Sequence, residues 1–429
     1  MRMLQHRGKA YWKILSGKIS IEYDGSIPND KLLISLFKRK KITNNICVGY
    51  LSKRSPIYPS MNSISVVFDG FFVDTEKLSL HPLIGSAKDQ DSLYQIYHIF
   101  NKLIKKKEFH KAAEFLDRHL RGNIIFLSEK EILVFRNSTG FKPLSIACND
   151  NICLISSENS LRISFPNLSF KDVEMGQLFK LSTKNGIEIL SHLKNNLMLL
   201  DPFEFIKDSH VTSLFNGKSI YSIRKNIGKL QANFLSADII VDSVYAEPDY
   251  TRPMALGICL EFQKYFPKFE ISEGIIKDRY DDSDHMTDFS EQVSKNKLLT
   301  TGRSLKFMIN NLSKNKKVAT LQGTLQTGST VKETISYLKN IGAKKINVLV
   351  SYVPTIDGRQ VGLYTYGREF IANKYVGKVY NINQLNTNIS KEIGSNTVFY
   401  NSPSVLSKGI GISESNLWFP EWIRFLDYE

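Results

Sequence analysis

The feature that most restricts the fold is a change of pattern near residue 205. Before it the chain is a succession of short strand-like runs: NICVGYL, SISVVFDGFFVD, GNIIFLS, EILVFRN, PLSIACN, NICLISS and GQLFKLS. Helical sequence lies between the second and third of these, from DSLYQIYHIFNKLIKK to EFHKAAEFLDRHL. Strands joined by short turns, with helices inserted, predict an α/β layer domain built on antiparallel sheets over residues 1–205. After DPFEF the rhythm becomes strand and helix in turn: SIYSIRKNIGKLQANFLS, ADIIVDSVY, TRPMALGICLEFQKYF, KKVATLQG, VKETISYLKNIG and KKINVLVSYVP. Helices of this length between strands imply βαβ units, so a doubly wound parallel-sheet domain is predicted over 206–375. Residues 281–302 read as a polar loop or connecting helix, and the Asn- and Ser-rich 376–429 as an extension of short helices and coil.

Composition narrows the function classes. The 42% hydrophobic and 23% charged content is that of an ordinary globular protein. No run approaches the ~18–20 apolar residues of a membrane span, and the N-terminus, MRMLQHRGK, is not an apolar signal segment. A cytoplasmic address and no membrane partner are the expectations. The four cysteines, Cys47, Cys148, Cys153 and Cys259, lack CxxC spacing and read as buried thiols, not as a zinc site or a disulfide framework. A net charge of +15 favours anionic ligands, but it is concentrated in lysine runs such as 38–41 and 105–107. With no nucleic-acid module beside them, solvated lysine faces are the simpler reading, and a nucleic-acid partner is not expected.

The stretch VATLQGTLQTGST at 318–330 carries the strongest local signal. A β-rich run breaks into glycines and hydroxyls and then continues as an amphipathic helix, which points backbone N–H groups and a helix N-terminus at an anion. The loop has no acidic residue to hold a sugar or a metal.

Eight motifs in order give this pattern a family. They are LQHRG at 4–8, VVFDGFFVD at 66–74, RNSTGFKPLSI at 136–146, EMGQLFKL at 174–181, SIYSIRKNIGKL at 219–230, GIIKDRY at 274–280, REFIANKY at 368–375 and IGSNTVFYNSPSVL at 393–406. Together they resemble amidophosphoribosyltransferase, the glutamine-dependent first enzyme of purine synthesis. The resemblance implies an N-terminal-nucleophile αββα sandwich followed by a type I phosphoribosyltransferase domain.

The same resemblance shows where this chain departs from the family. The family's glutaminase attacks with an N-terminal cysteine whose own α-amino group is the base. Here Met1 stands only a few residues before LQHRG, so that cysteine and its strand are expected to be missing, and no internal cysteine has a free α-amino group. A start upstream would supply the cysteine but would leave the internal positions unchanged. The family's GHxRYST arginine, which clamps the glutamine carboxylate, aligns with Gly49, and charge-paired recognition goes with it. The oxyanion-hole Asn-Gly aligns with Asp69 and Gly70, and losing one such donor typically costs ~10²–10³ in rate. Arg7 and Asp89 align with substrate-binding positions and otherwise read as a residual ion pair.

In the transferase domain the family's VVLVDDSIVRGTT places two acids on the ribose and the magnesium–pyrophosphate. Here Gln322 and Gly323 stand under the acids and Thr327 under the arginine. The phosphate-cradling part survives as Thr324, Thr327, Gly328, Ser329 and Thr330. The family's closing loop, NRYxGRTFI, is replaced by DRYDDSDHM, whose Asp281, Asp282 and Asp284 would repel pyrophosphate. Lys277, Arg279, Arg303 and Lys306 keep basic positions that attract phosphate. Asp201 stands where an iron–sulphur branch of the family has a cysteine, so neither that cluster nor any other metal is expected. Magnesium enters only if transfer activity survives. The expectation is a non-catalytic homologue that enters an oligomer with an active amidophosphoribosyltransferase or senses a phosphosugar or nucleotide. The competing expectation is an ammonia-dependent transferase.

Overall fold

The computed structural model describes residues 11–16, 19–24, 35, 48–52, 65–128, 131–182, 184–195, 197–235, 241–267, 269–271, 274–277, 305–307, 313–362 and 369–428. The chain divides into two compact units, Met1–Leu200 and Asp201–Glu429.

In the first unit, strands β1 (Tyr11–Ser16), β2 (Ile19–Asp24) and β3 (Val48–Ser52) form an antiparallel sheet in the order β2-β1-β3. Strand β4 (Ser65–Phe72) is followed by helices α1 (Ser92–Lys105) and α2 (Phe109–His119), then β5 (Leu120–Leu127) and β6 (Glu131–Arg136). After these come β7 (Ser145–Cys148), β8 (Cys153–Ser156), β9 (Lys171–Asp172), β10 (Gln177–Ser182) and β11 (Gly186–His192). A five-stranded antiparallel sheet has the order β11-β10-β6-β5-β4, and a smaller one the order β8-β7-β9.

The adjacent apolar pairs in these strands account for the layering. Successive strand residues face opposite ways, so a pair of neighbouring hydrophobes serves two cores. Val66, Phe135 and Leu178 pack with Ile96, Phe100, Leu103, Ala113 and Leu116 of the two helices. Their chain neighbours Val67, Val134 and Phe179 pack on the other face with Leu144, Ile146 and Val173. The sheet is therefore buried on both sides, and each fully buried Val, Leu or Phe contributes about 1.5–3 kcal/mol. Asp91 caps α1 by accepting from the Tyr94 amide at 2.9 Å, which sets the phase of its buried stripe.

The second unit begins with a π-helical turn, Glu204–Asp208, and a short hairpin, β12 (Leu214–Phe215) and β13 (Lys218–Ser219), leading into α3 (Ile220–Phe234). There follow β14 (Ser243–Ala246), α4 (Arg252–Tyr265), β15 (Glu270–Ile271), and the antiparallel pair β16 (Ile275–Lys277) and β17 (Leu305–Phe307). The chain continues with β18 (Lys317–Gln322), α5 (Ser329–Asn340), β19 (Lys345–Val350), α6 (Ile382–Ile393), β20 (Thr397–Tyr400), α7 (Pro403–Ile410) and α8 (Glu421–Phe425). The parallel sheet runs β15-β14-β18-β19-β20.

Helices α3 and α4 meet at glycines. A Cβ on Gly228 would lie 2.0 Å from the Met254 carbonyl oxygen, and one on Gly257 would lie 2.0 Å from that of Lys225. Only the absence of both side chains allows this approach. The segment from 376, read as helix and coil, also supplies β20 at the sheet edge, so it is part of the doubly wound layer and not only an extension. Among the described residues no helix is long and apolar enough to cross a membrane.

Candidate functional site

The order of the parallel sheet fixes where a ligand can enter. From β14 the chain steps outward to β15 and then returns to the other side of β14 at β18. Connections leaving a pair of parallel strands in opposite directions open a crevice at their carboxyl ends, which is where open α/β sheets bind ligands. Two loops lie there, 247–251 after β14 and 323–328 after β18. The Glu247 amide donates to the Leu321 carbonyl at 3.0 Å, tying the two strand ends together.

The second loop reaches α5 through Gly328, which has φ 81° and caps the helix without a side-chain bond. Thr327 and Ser329 are exposed, with their hydroxyls 3.0 Å apart, while Thr324 accepts from the Gln326 amide at 3.4 Å. Thr330 is half-buried, and its carbonyl accepts from the Thr334 hydroxyl at 3.1 Å. The structure thus brings the hydroxyls of Thr327 and Ser329 together at the N-terminus of α5, with Thr324 earlier in the loop and Thr330 in the first turn of the helix. First-turn amides of a helix lack intrahelical acceptors, so the turn offers donors to an anion.

Gln322 has a different place. It ends β18 buried, and its amide donates to Thr320 at 2.9 Å on the same face of the strand. Gly323 is buried beneath Tyr250, and a Cβ there would meet Cε2 of that ring at 2.1 Å. Sequence reading did not single out Tyr250 or its neighbour Glu247. Their signal was available as position, because EPDYT follows the first strand of a βαβ unit and so falls at the crevice.

Tyr250 is held by two contacts. Its hydroxyl donates to Glu247 Oε2 at 3.1 Å, and Lys207 Nζ lies 5.0 Å from the ring centroid. The Gly323 backbone N–H is also directed at the Glu247 carboxylate. Lys207 belongs to the π-helical turn, which the buried Arg224 fastens by donating to the Phe205 and Ser209 carbonyls, both at 2.8 Å. Burial pushes the Glu247 carboxyl up from its ordinary value of 4.5, opposed by Lys207, the Tyr250 hydroxyl and the Gly323 amide. Burial, and then the neighbouring Glu247 charge, drive the Tyr250 phenol well above its usual range.

A carboxyl whose pKa is raised on folding binds its proton more tightly in the native state, so its contribution to stability declines as pH rises through that window. Glu247→Gln removes this titration. Relative to the unmodified protein, the variant should gain melting temperature as pH rises from below 4.5 to neutrality, and a difference that is flat with pH would contradict the assignment.

The basic positions are divided. Lys277 ends β16 and Lys306 lies in β17, where it pairs with Ile276. Arg279, Arg303 and the DRYDDSDHM segment lie outside the described residues. Magnesium requires hard oxygen ligands. The loop offers hydroxyls and a buried amide, and among the described residues no three His, Cys, Asp or Glu side chains converge. Those residues do not fit a resident magnesium ion. Asp201, at the cluster-cysteine position, is buried and accepts from the Phe203 amide at 2.9 Å.

In the first unit, Asp69 and Gly70 lie in β4 opposite Asn123 and Gly122. Gly70 and Gly122 both have φ 138°, and a Cβ on either would come within 2.0 Å of the facing strand's carbonyl oxygen, so the glycine at 70 is required by this strand register. Gly49 lies in β3 opposite Ile14, Asp89 is exposed, and Arg7 lies outside the described residues. The cysteine expectation needs correction. Cys148 and Cys153 face each other across the β7–β8 hairpin and are joined as a disulfide, because their register makes them direct partners. Cys259 is a buried thiol pushed up to about 12 by burial, and Cys47 lies outside the described residues.

The comparisons with known proteins agree with this geometry. No protein-family model matches the chain. An amidophosphoribosyltransferase of Methanocaldococcus jannaschii is 24% identical over 450 aligned positions, covering 95% of this chain and 89% of that protein. This chain is an amidophosphoribosyltransferase homologue. The solved glutamine phosphoribosylpyrophosphate amidotransferase of Bacillus subtilis, complexed with ADP and GMP, has a TM-score of 0.71 at 20% identity, covering 95% of this chain and 88% of that one. A structure described as the allosteric regulatory enzyme of purine biosynthesis gives 0.70 at 20% identity, with 97% and 90% covered. The amidophosphoribosyltransferase-like fold is therefore an N-terminal-nucleophile unit followed by a type I phosphoribosyltransferase unit.

Proposed function

We propose that this amidophosphoribosyltransferase-like protein is non-catalytic and acts in purine biosynthesis through binding. The observation that carries the reading is the state of the two acid positions of the transferase loop. Gln322 is buried with its amide bonded to Thr320, and Gly323 lies beneath the ring of Tyr250. A neutral amide and a glycine cannot supply the charge that would organise magnesium–pyrophosphate or stabilise a cationic sugar transition state. In the first unit, Gly49 and Asp69 stand in place of the glutamine clamp and an oxyanion donor, which supports the loss of glutaminase chemistry as well.

The phosphate end of the loop keeps its hydroxyls and helix N-terminus, so a phosphosugar or nucleotide monophosphate is the ligand class. The B. subtilis neighbour was solved with ADP and GMP, which favours a nucleotide. An active amidophosphoribosyltransferase in the same cytoplasm is the proposed partner, entered as a mixed oligomer. One observation favours the ammonia-dependent alternative: Glu247 brings a carboxylate to the Gly323 amide from the neighbouring strand.

Turnover separates the two. Neither glutamate from glutamine nor 5-phosphoribosylamine from phosphoribosyl pyrophosphate with ammonia and magnesium should form above a protein-free blank. Multiple turnovers of the second reaction would establish the alternative. Isolation at native expression should recover an active family member with this chain, and a pure homo-oligomer would contradict the partner.

A further inference from the structure

We propose that Tyr250 closes the crevice between the carboxyl ends of β14 and β18 from within, so that the loop at 324–330 can hold the phosphate of a phosphosugar or nucleotide while the sugar gains no contact at Gly323. This rests on the phosphate-loop reading and deepens it by naming what limits the ligand. Three contacts support it. The ring covers the Cα of Gly323, so closely that a Cβ would come within 2.1 Å of Cε2. A ring edge could normally swing aside, but here its hydroxyl is bonded to Glu247 at 3.1 Å and Lys207 lies 5.0 Å from its centroid. The Glu247 carboxylate in turn faces the Gly323 amide, and the Glu247 amide donates to the Leu321 carbonyl at 3.0 Å, so the two strand ends are tied across the crevice that the sheet topology opens.

Moving the ring would expose Gly323 and remove a donor from Glu247 in one step. That phenol, which burial pushes still further above its usual range, stays protonated and able to donate at neutral pH. The device also explains why residue 323 carries no side chain, since glycine at 323 and tyrosine at 250 fill one volume between them.

The test uses the full chain and its Tyr250→Ser and Tyr250→Phe variants, titrated with inorganic phosphate and with ribose 5-phosphate. The unmodified protein should bind the two ligands within threefold of each other, and Tyr250→Phe, which keeps the ring but loses its bond to Glu247, should fall between it and Tyr250→Ser. Tyr250→Ser should bind ribose 5-phosphate at least tenfold more tightly than the unmodified protein does, with phosphate affinity unchanged within twofold. Equal gains for both ligands, or no gain for either, overturn the proposal.

A second arm does not depend on phosphate binding. Gly323→Ala should lower the melting temperature in the Tyr250 background and by less than half as much in Tyr250→Ser. Additive shifts overturn the closure. If no variant binds phosphate while the shifts are non-additive, the closure stands and the phosphate-loop reading fails.

Discussion

Leucine in place of Gly257 should cost the second unit its fold. Alanine there already places a Cβ 2.0 Å from the Lys225 carbonyl oxygen and 2.9 Å from the Lys229 amide nitrogen, both backbone atoms that cannot rotate away. Leucine adds three more carbons in the same direction. Overpacking a core by a few methylenes costs about 1–3 kcal/mol when side chains can adjust. With backbone on the other side the helices must separate, and the loss should exceed about 3 kcal/mol, a large share of the ~5–15 kcal/mol that holds a domain together. Two of the three tryptophans, Trp418 and Trp422, lie in this unit, so denaturant unfolding followed by indole fluorescence reads it selectively. Tyr265→Leu, at an exposed position on the same helix, should leave the midpoint unchanged. A Gly257→Leu midpoint within experimental error of the unmodified protein would mean that the helices do not cross where described.

Arg224→Met should be the next most damaging change, and for an electrostatic reason. The guanidinium is 1% exposed and donates to the Phe205 and Ser209 carbonyls. Methionine fills much of the volume but leaves both carbonyls without that donor. An unsatisfied buried polar group costs about 1–3 kcal/mol, so a total near 3 kcal/mol is expected. Arg224→Lys should recover less than half, because a single ammonium does not reproduce two directed bonds from one planar fork. Both variants should also loosen Lys207 above Tyr250, and so move ribose 5-phosphate affinity in the same direction as Tyr250→Ser. A stability loss below about 1 kcal/mol would contradict this role for Arg224.

These residues differ in how far the sequence announces them. The neighbouring hydrophobes at Val66–Val67, Val134–Phe135 and Leu178–Phe179 are legible as a strand set buried on both faces, and the helices at 92–105 and 220–234 are legible from their apolar period. Strand β11 is not, because Ile187 and Ile189 are 44% and 61% exposed, and the register shifts between Leu178 and Phe179, which oppose Ser191 and Ile189. Its apolar residues mark the wrong face. The hairpin of β1 and β2, and the edge strand β20, are short runs whose pairing is decided by distant partners. The Cys148–Cys153 pair depends on hairpin register, which spacing alone does not give.

At the candidate site, Thr324–Thr330 could be recognised because a strand–loop–helix junction is a local pattern. Tyr250 and Glu247 could not be recognised in that way. Their roles exist only once β14 and β18 are paired, with Ser243 opposite Val318, far apart along the chain. Gln322 illustrates the converse. Its place in the motif assigns it to the loop, whereas strand alternation puts its amide on the same face as Thr320, to which it donates.

If this crevice no longer organises a metal–pyrophosphate complex, calorimetry of the unmodified protein should show it. Ribose 5-phosphate and magnesium–phosphoribosyl pyrophosphate share the phosphate that the loop at 324–330 would hold, and differ in the group that needs acidic residues at 322 and 323. The two should bind within tenfold of each other, a difference of less than about 1.4 kcal/mol, and magnesium should change neither affinity. Binding of magnesium–phosphoribosyl pyrophosphate more than tenfold tighter than ribose 5-phosphate would contradict the account, because it would mean that the closed crevice opens to hold the pyrophosphate and that the transferase chemistry has been retained.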